Sequence, residues 1–337
     1  MAIRQGRTIS LEKEIRIISS AAAVGRLEGE GPLKESFDRI FNDTTMGEKC
    51  WEKAESNLLS AAMQRALQKI KLEDSSLDAV FAGDLLNQCI SSSFAARDMN
   101  VPFIGMFGAC STMALTTAMA SLAIESGGIN TCMAATSSHF CSAEKQFRFP
   151  LEYGGQRTPT AQRTVTGAGA LILSEDFSPL NPRIKAVHLG KVEDLGIVDS
   201  TNMGAAMAPA ARRTIADFLI DTNTLPSDYD AIFTGDLGLV GTRLLRELML
   251  KEDNIDISSV HQDCGLMIFD RETQDVHSGG SGCGCCGSVL CGHILSEMRK
   301  GKLRNILFVA TGALMSPVSS REGESIPGVA HLLNIVI

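Results

Sequence analysis

Apolar residues recur at helical spacing at Trp51, Leu58, Leu59, Met63, Leu67 and Ile70, and this segment leads into DAVFAGDL, an apolar run beginning at Asp78. The same order returns in the second half. Ile215, Phe218 and Leu219 share a helical face, and DAIFTGDL begins at Asp230. Each octamer predicts a buried β-strand ending in Gly-Asp, which puts Asp84 and Asp236 at the carboxyl edge of a sheet.

The parallel continues downstream. Each half next shows a glycine-rich turn, FGACST around Cys110 and GGSGCGCCGS over 279–288. A helix of small residues then runs over 112–125 and over 289–300. Strands ending in Ala-Thr complete the unit, TCMAATSSH up to His139 and NILFVATGALMSP up to Pro317. Small side chains let backbones approach closely, so these two helices are expected to form a buried pair at a pseudo-twofold axis. Asp84 and Asp236 are 152 positions apart but Thr136 and Thr311 are 175 apart, so about 23 extra residues belong to the second half, near 262–280. The pattern predicts an α/β protein of two similar halves, residues 1–180 with Cys110 and residues 181–337 with the glycine-rich loop.

Composition narrows the function. With 44% hydrophobic and 21% charged residues the chain has ample core, and a net charge of −8 with no basic cluster argues against nucleic acid. The start, MAIRQGRTISLEKEIRI, lacks a signal peptide's apolar run, so the ten cysteines are expected to be reduced, in the cytoplasm. The most apolar stretch, Met113 to Ile124, is shorter than the roughly 20 residues a bilayer demands.

Cys110 is the first candidate for chemistry. It precedes a helix, where the dipole favours thiolate, with Gly108 allowing a tight turn and Ser111 or Thr112 able to cap. A nucleophile and a small buried filler both remain open for it. Asp84 and Asp236, with Asn87 just beyond, suit a calcium ion or a protonated ligand nitrogen, and helix capping is the alternative role for each aspartate. Gly282, Gly284 and Gly287 spell GxGxxG, but the polar DRETQDVHSGG before them is no strand, which argues against a dinucleotide site. Cys283 and Cys286 form a CxxC near Cys285, Cys291 and His293 with no second knuckle, which points to packed thiols rather than zinc.

Taken together, AGDLLNQ (82–88), FGACST (107–112), ATSSH (135–139), QFRFPLEYGGQR (146–157), TVTGAGA (164–170), MGAAMAPAA (203–211), TGDL (234–237), DCGLMIF (263–269), GGSGCGC (279–285) and ATGALMSP (310–317) carry a resemblance. The chain resembles the thiolase-like condensing enzymes, which include the ketoacyl-ACP synthases. It is most similar to a divergent branch of that superfamily, the stage V sporulation AD family of spore-forming bacteria. The resemblance spans essentially the whole chain. It implies a layered αβαβα fold with a nucleophile-type cysteine at the start of a buried central helix. It also implies binding of dipicolinic acid (pyridine-2,6-dicarboxylate), with calcium entering only as part of the ligand. The implied role is transport of that acid into or out of the spore with integral membrane proteins of the same system, at the inner membrane surface. A homodimer is a further expectation.

Condensing enzymes of this superfamily set a His from the second Gly-Asp strand end, and an Asn or second His from the second glycine loop, beside the cysteine. Here those segments read Thr234 to Gly238 and Gly282 to Cys286 and hold neither. His139 or His277 could stand in for the base. The expected function is therefore binding without catalysis, with acyl transfer on Cys110 or a structural subunit with a vestigial pocket as alternatives. The candidate ligand residues are Asp84, Asn87, Cys110, Ser111, His139, Arg148 and Asp236. Arg148 is preferred over Arg157 and Arg163 as the partner of a dicarboxylate.

Overall fold

Ten strands follow one another across a single sheet in the computed structural model, which describes residues 2–147, 156–176 and 178–337. The first half supplies β1 (Ile15–Gly25), β2 (Ala79–Gly83), β3 (Phe103–Gly105), β4 (Thr131–Ser138) and β5 (Gly167–Glu175). The second supplies β6 (Arg183–His188), β7 (Ala231–Thr234), β8 (His261–Asp263), β9 (Asn305–Ala313) and β10 (Gly328–Val336). Read outward from the middle, the orders are β1-β5-β4-β2-β3 and β6-β10-β9-β7-β8. They are the same order, and the directions match as well: β2 runs parallel to β3 and β4 as β7 does to β8 and β9, while β5 and β10 are antiparallel to β4 and β9. The halves meet through the pairing of Arg16 with Arg183.

The duplicated octamers are the strands β2 and β7, buried along their whole length. That is why they read as continuous apolar runs rather than alternating ones: both faces are covered by other layers. The longer helices among the described residues are α1 (Trp51–Ile70), α2 (Ile90–Arg97), α3 (Thr112–Glu125), α4 (Phe140–Phe147), α5 (Met203–Thr222) and α6 (Gly238–Asp253). A seventh, α7, starts as Cys283–Ser288, passes through a π-helical stretch Val289–Ile294 and ends as Leu295–Arg299. Helix α1 lies on β1, β4 and β5, and α5 lies on β9 and β10. Between them, α3 touches β4 of its own half and β9 and β10 of the other, and α7 touches β4, β5 and β9. The layers are therefore helix, sheet, central helix pair, sheet, helix.

Two expectations need correcting. The second central helix begins at Cys283, not near Val289, because only Gly282 of GCGCCG turns the chain, at φ 102°, while Gly284 and Gly287 serve close approach. A Cβ on Gly284 would sit 2.2 Å from the Gly167 carbonyl oxygen, and one on Gly169 would sit 2.2 Å from that of Gly287. The extra residues of the second half do fall between β8 and α7, where they form a short helix, Cys264–Met267, and a strand, Gly280–Ser281, paired with Arg163–Thr164. Trp51, placed on the core face by its spacing, is only half-buried. Among the described residues, no helix is long and apolar enough to cross a membrane.

Candidate functional site

Cys110 sits in the turn Ala109–Ser111 that joins the end of β3 to α3. The left-handed residue in this turn is Ala109, at φ 50°, rather than Gly108. A side chain on Gly108 would instead strike the Ser111 hydroxyl. The turn is tied internally: Ser111 Oγ donates to the Gly108 carbonyl (2.6 Å) and Thr112 Oγ1 to the Ala109 carbonyl (2.7 Å). Ser111 thus holds the backbone of Cys110 and does not line the cavity beside it. That cavity has a volume of about 40 Å³ and apolar walls that include Leu85, Phe107, Phe147, Met203 and Met315. Among the described residues, Thr164 and Ser281 are its polar side chains apart from the thiol.

The thiol is the reverse of an activated nucleophile. Burial, the negative charge of Asp236 and the hydrogen bond the thiol gives that carboxylate push Cys110 well above the ordinary cysteine value. A helix dipole offers about 0.3–1 kcal/mol toward thiolate, too little to offset burial beside a carboxylate. Asp236 is held there by the second half's glycine loop: Gly282 N donates to Oδ2 (2.7 Å) and Thr311 Oγ1 to Oδ1 (2.9 Å). Behind the thiol lie Cys286, whose Sγ is 3.5 Å from the Cys110 carbonyl, and Cys283, which donates to the Ser137 carbonyl at 2.9 Å. The cysteines of the CxxC are packed thiols, and no cluster of metal-binding side chains occurs among the described residues.

Asp84 does not share this position. Its Oδ1 accepts from Leu86 N (2.9 Å), and its Oδ2 from Ser92 N (2.8 Å) and Ser92 Oγ (2.7 Å). It is a buried cap of α2, so the placement of Asp84 on the cavity wall is corrected. Its neighbour is a carboxylate that the reading of the sequence passed over. Glu55, fully buried in α1, accepts from Ser142 Oγ (2.6 Å) and Ser137 Oγ (3.1 Å). Burial, with Asp84 close by, pushes Glu55 up to about 8. The signal was available: Glu55 lies three and four positions before Leu58 and Leu59, on the buried face of α1.

Residues 5–336 match the family described as Stage V sporulation protein AD. The chain belongs to that family. Stage V sporulation protein AD of Bacillus subtilis (strain 168) is 44% identical over 331 residues, covering 98% of this chain and 97% of the relative. Among solved structures, Xanthomonas OleA bound to cerulenin superposes with a TM-score of 0.61 at 14% identity, covering 99% of this chain and all of that one. 3-Oxoacyl-[acyl-carrier-protein] synthase III from Aquifex aeolicus VF5 superposes with a TM-score of 0.58 at 12% identity, covering 95% and 99%. At such identities the two neighbours show the thiolase-like fold.

In this member of the stage V sporulation protein AD family, none of the six histidines lines the Cys110 cavity. His139 Nε2 is 2.8 Å from the Thr44 carbonyl, and its ring stacks on Trp51. His277 pairs with Asp275. His261 lies between Thr234 and Arg246, and its burial, with the Arg246 charge, drives it down to about 3. His188, His293 and His331 bond to Thr8, Ser36 and the Gly190 amide. Of the arginines, Arg157 bonds to Asp275, and Arg163 lies over the Phe140 ring at 3.8 Å. Arg148 lies outside the described residues. Asn87 is exposed and paired with Gln146, on the other side of α4 from the thiol.

Proposed function

We propose that the chain is a ligand-binding rather than catalytic member of its superfamily. It takes up pyridine-2,6-dicarboxylate as the charge-neutral calcium chelate and passes it to membrane-embedded partners of the same sporulation system, at the surface of the spore inner membrane. One observation carries this reading: the thiol at the nucleophile position donates a hydrogen bond to a carboxylate that keeps it protonated, and among the described residues no imidazole or side-chain amide lines its cavity. A thiol held neutral, whose acceptor is a carboxylate and not the more basic imidazole, is not activated to form an acyl thioester, so the cavity is left with recognition.

Apolar walls favour a ligand whose charges are cancelled within itself, because an unpaired dianion there would keep no solvation. The cavity of about 40 Å³ holds no more than a few waters, so entry requires the half-exposed Phe107 at its mouth to swing aside. Isothermal titration of the chelate, with the metal-free acid as comparison, is expected to give saturable heat that Cys110→Leu, which fills the cavity, reduces at least tenfold. Equal heats from Cys110→Leu and the parent protein would remove the cavity from the account.

A further inference from the structure

A pair of buried acids stands behind one wall of the Cys110 cavity. Glu55 of α1 and Asp84 at the end of β2 are close neighbours, both buried, and neither has an ion-pair partner among the described residues. Asp84 precedes Leu85, and Ser142, which bonds to Glu55, precedes Ala143; Leu85, Ala143 and Phe147 all line the cavity. The wall on this side is thus fastened through the acids.

Burial raises both carboxyls, and the donors around them decide which one keeps a proton. Asp84 is met by the backbone N–H groups of Leu86 and Ser92 as well as by Ser92 Oγ, and an N–H can only donate, so this carboxyl is held as the anion. Glu55 is met by hydroxyls alone, Ser137 Oγ at 3.1 Å and Ser142 Oγ at 2.6 Å, and a hydroxyl can donate or accept. Ser142 Oγ also lies 3.0 Å from the His139 carbonyl oxygen, which can only accept. Ser142 has one hydrogen. A protonated Glu55 donates to Ser142 Oγ while Ser142 donates to the carbonyl, so both bonds form; an ionised Glu55 takes the Ser142 hydrogen and breaks the tie at the start of α4.

No facing group offsets a second negative charge. Glu52, one turn back in α1, is a third acid. The thiols of Cys89 and Cys283 donate to the carbonyls of Met106 and Ser137. His139 accepts from Cys141 N at Nδ1 and meets the Thr44 carbonyl at Nε2, which is the neutral ring. On α4, Glu144 lies 3.4 Å from Thr164 Oγ1, and Lys145 lines an outer opening with Ser142 and Glu52. Water is what remains to solvate an ionised Glu55, and it comes from that opening, past Ser142. Helix α4 is therefore the element that gives way.

We propose that Glu55 is a proton-operated latch on α4, which holds the helix in place and the Cys110 cavity shut when protonated and lets the helix move outward to admit a guest when ionised. A cavity of about 40 Å³ takes only a few waters, and displacement of α4 carries Ala143 and Phe147 away from it. The proposal rests on the binding function above and adds the control of that site: the chelate enters as Glu55 releases its proton to solvent, so affinity rises with pH.

The test has one arm without ligand and one with it. Amide hydrogen exchange over 140–147, corrected for the intrinsic rate, is compared with exchange in α5 between about pH 6.5 and pH 9. In the parent protein α4 is expected to lose about fivefold of its protection relative to α5 as the pH passes about 8. Glu55→Gln, whose amide gives Ser142 a hydrogen at every pH, is expected to stay protected, and Ser142→Ala to be unprotected throughout. Calorimetric titration with the calcium chelate of pyridine-2,6-dicarboxylate is expected to show affinity rising about fivefold over the same range in the parent and staying low in Glu55→Gln. Protection or chelate affinity that is flat with pH in the parent, or a step that survives Glu55→Gln, would overturn the latch and leave the Cys110 reading standing. A Glu55-dependent loss of protection with no heat from the chelate at any pH would sustain the latch and overturn the ligand assignment it rests on.

Discussion

Gly169→Val is expected to abolish folded, soluble protein. Gly169 lies in mid-β5, where any Cβ would sit 2.2 Å from the carbonyl oxygen and 2.4 Å from the carbonyl carbon of Gly287 in α7. Both atoms are backbone, so no side-chain rotation relieves the clash, and α7 would have to lift off the sheet. That movement also dislodges Cys283 and Cys286, which back the Cys110 turn. Overpacking costs about 1–3 kcal/mol even where side chains can adjust, and a backbone collision costs more, against a total stability of about 5–15 kcal/mol. Gly127→Ala is the control: Gly127 has φ 80° but nothing within 4 Å of its added Cβ, so a loss near 1 kcal/mol is expected. Circular dichroism and the soluble yield distinguish the two variants. A Gly169→Val protein melting with the parent would show that the central helices do not lie as close to the sheet as described.

Stability is expected to fall as the pH rises from about 7 to about 9, in contrast to proteins whose carboxylates sit in salt bridges; below about 6.5 the histidines that burial drives down, His261 to about 3 and His331 to about 4, oppose the trend because unfolding lets them take up protons. Burial pushes Glu28 up to about 7, Asp263 to about 7, and Glu55 to about 8 with Asp84 beside it. Each folded value lies above the unfolded one, so the native state holds protons that unfolding releases. The resulting stabilisation is complete below the ordinary carboxylate range and is lost as the pH climbs through about 7 and then about 8. For Glu28 the loss is on the order of 3 kcal/mol. Glu297, drawn down to about 2 by hydrogen bonds from Lys302 and Lys300, acts only at the acid end and leaves this window untouched. Glutamine copies the protonated acid, so Glu55→Gln is expected to raise the melting temperature near pH 8 by a few degrees and to flatten the slope. Thermal melts across the range check this. A melting temperature that rises between about pH 7 and pH 8.5 would contradict the buried, protonated carboxyls.

The contrast between Asp84 and Asp236 shows where the sequence stops being legible. The repeat itself, the bounds of α1 and α3 and the location of the inserted segment could be read from the chain because each rests on local periodicity or on two copies of one pattern. The roles of the two aspartates could not, although their octamers are nearly identical. Asp84 is taken up by Ser92 and Leu86, within its own half. In the second half that capping passes to Asp263, which accepts from Leu237 N at 2.9 Å and Gly238 N at 3.0 Å. Asp236 is thereby left for the thiol of the other half. This exchange depends on a contact between residues more than a hundred positions apart. Which of the two roles left open for Cys110 applies was illegible for the same reason, since the helix start is visible in FGACST while the carboxylate facing it is not.

The central claim is that Cys110 is kept neutral by Asp236 in a cavity with no proton acceptor suited to acyl transfer. Intact-mass measurement after incubation with acetyl-CoA and short-chain acyl-CoAs tests it directly. The account predicts an unchanged mass for the parent protein. A stable gain of one acyl group that maps to Cys110 and vanishes in Cys110→Ala would contradict it and return the chain to the acyltransferases.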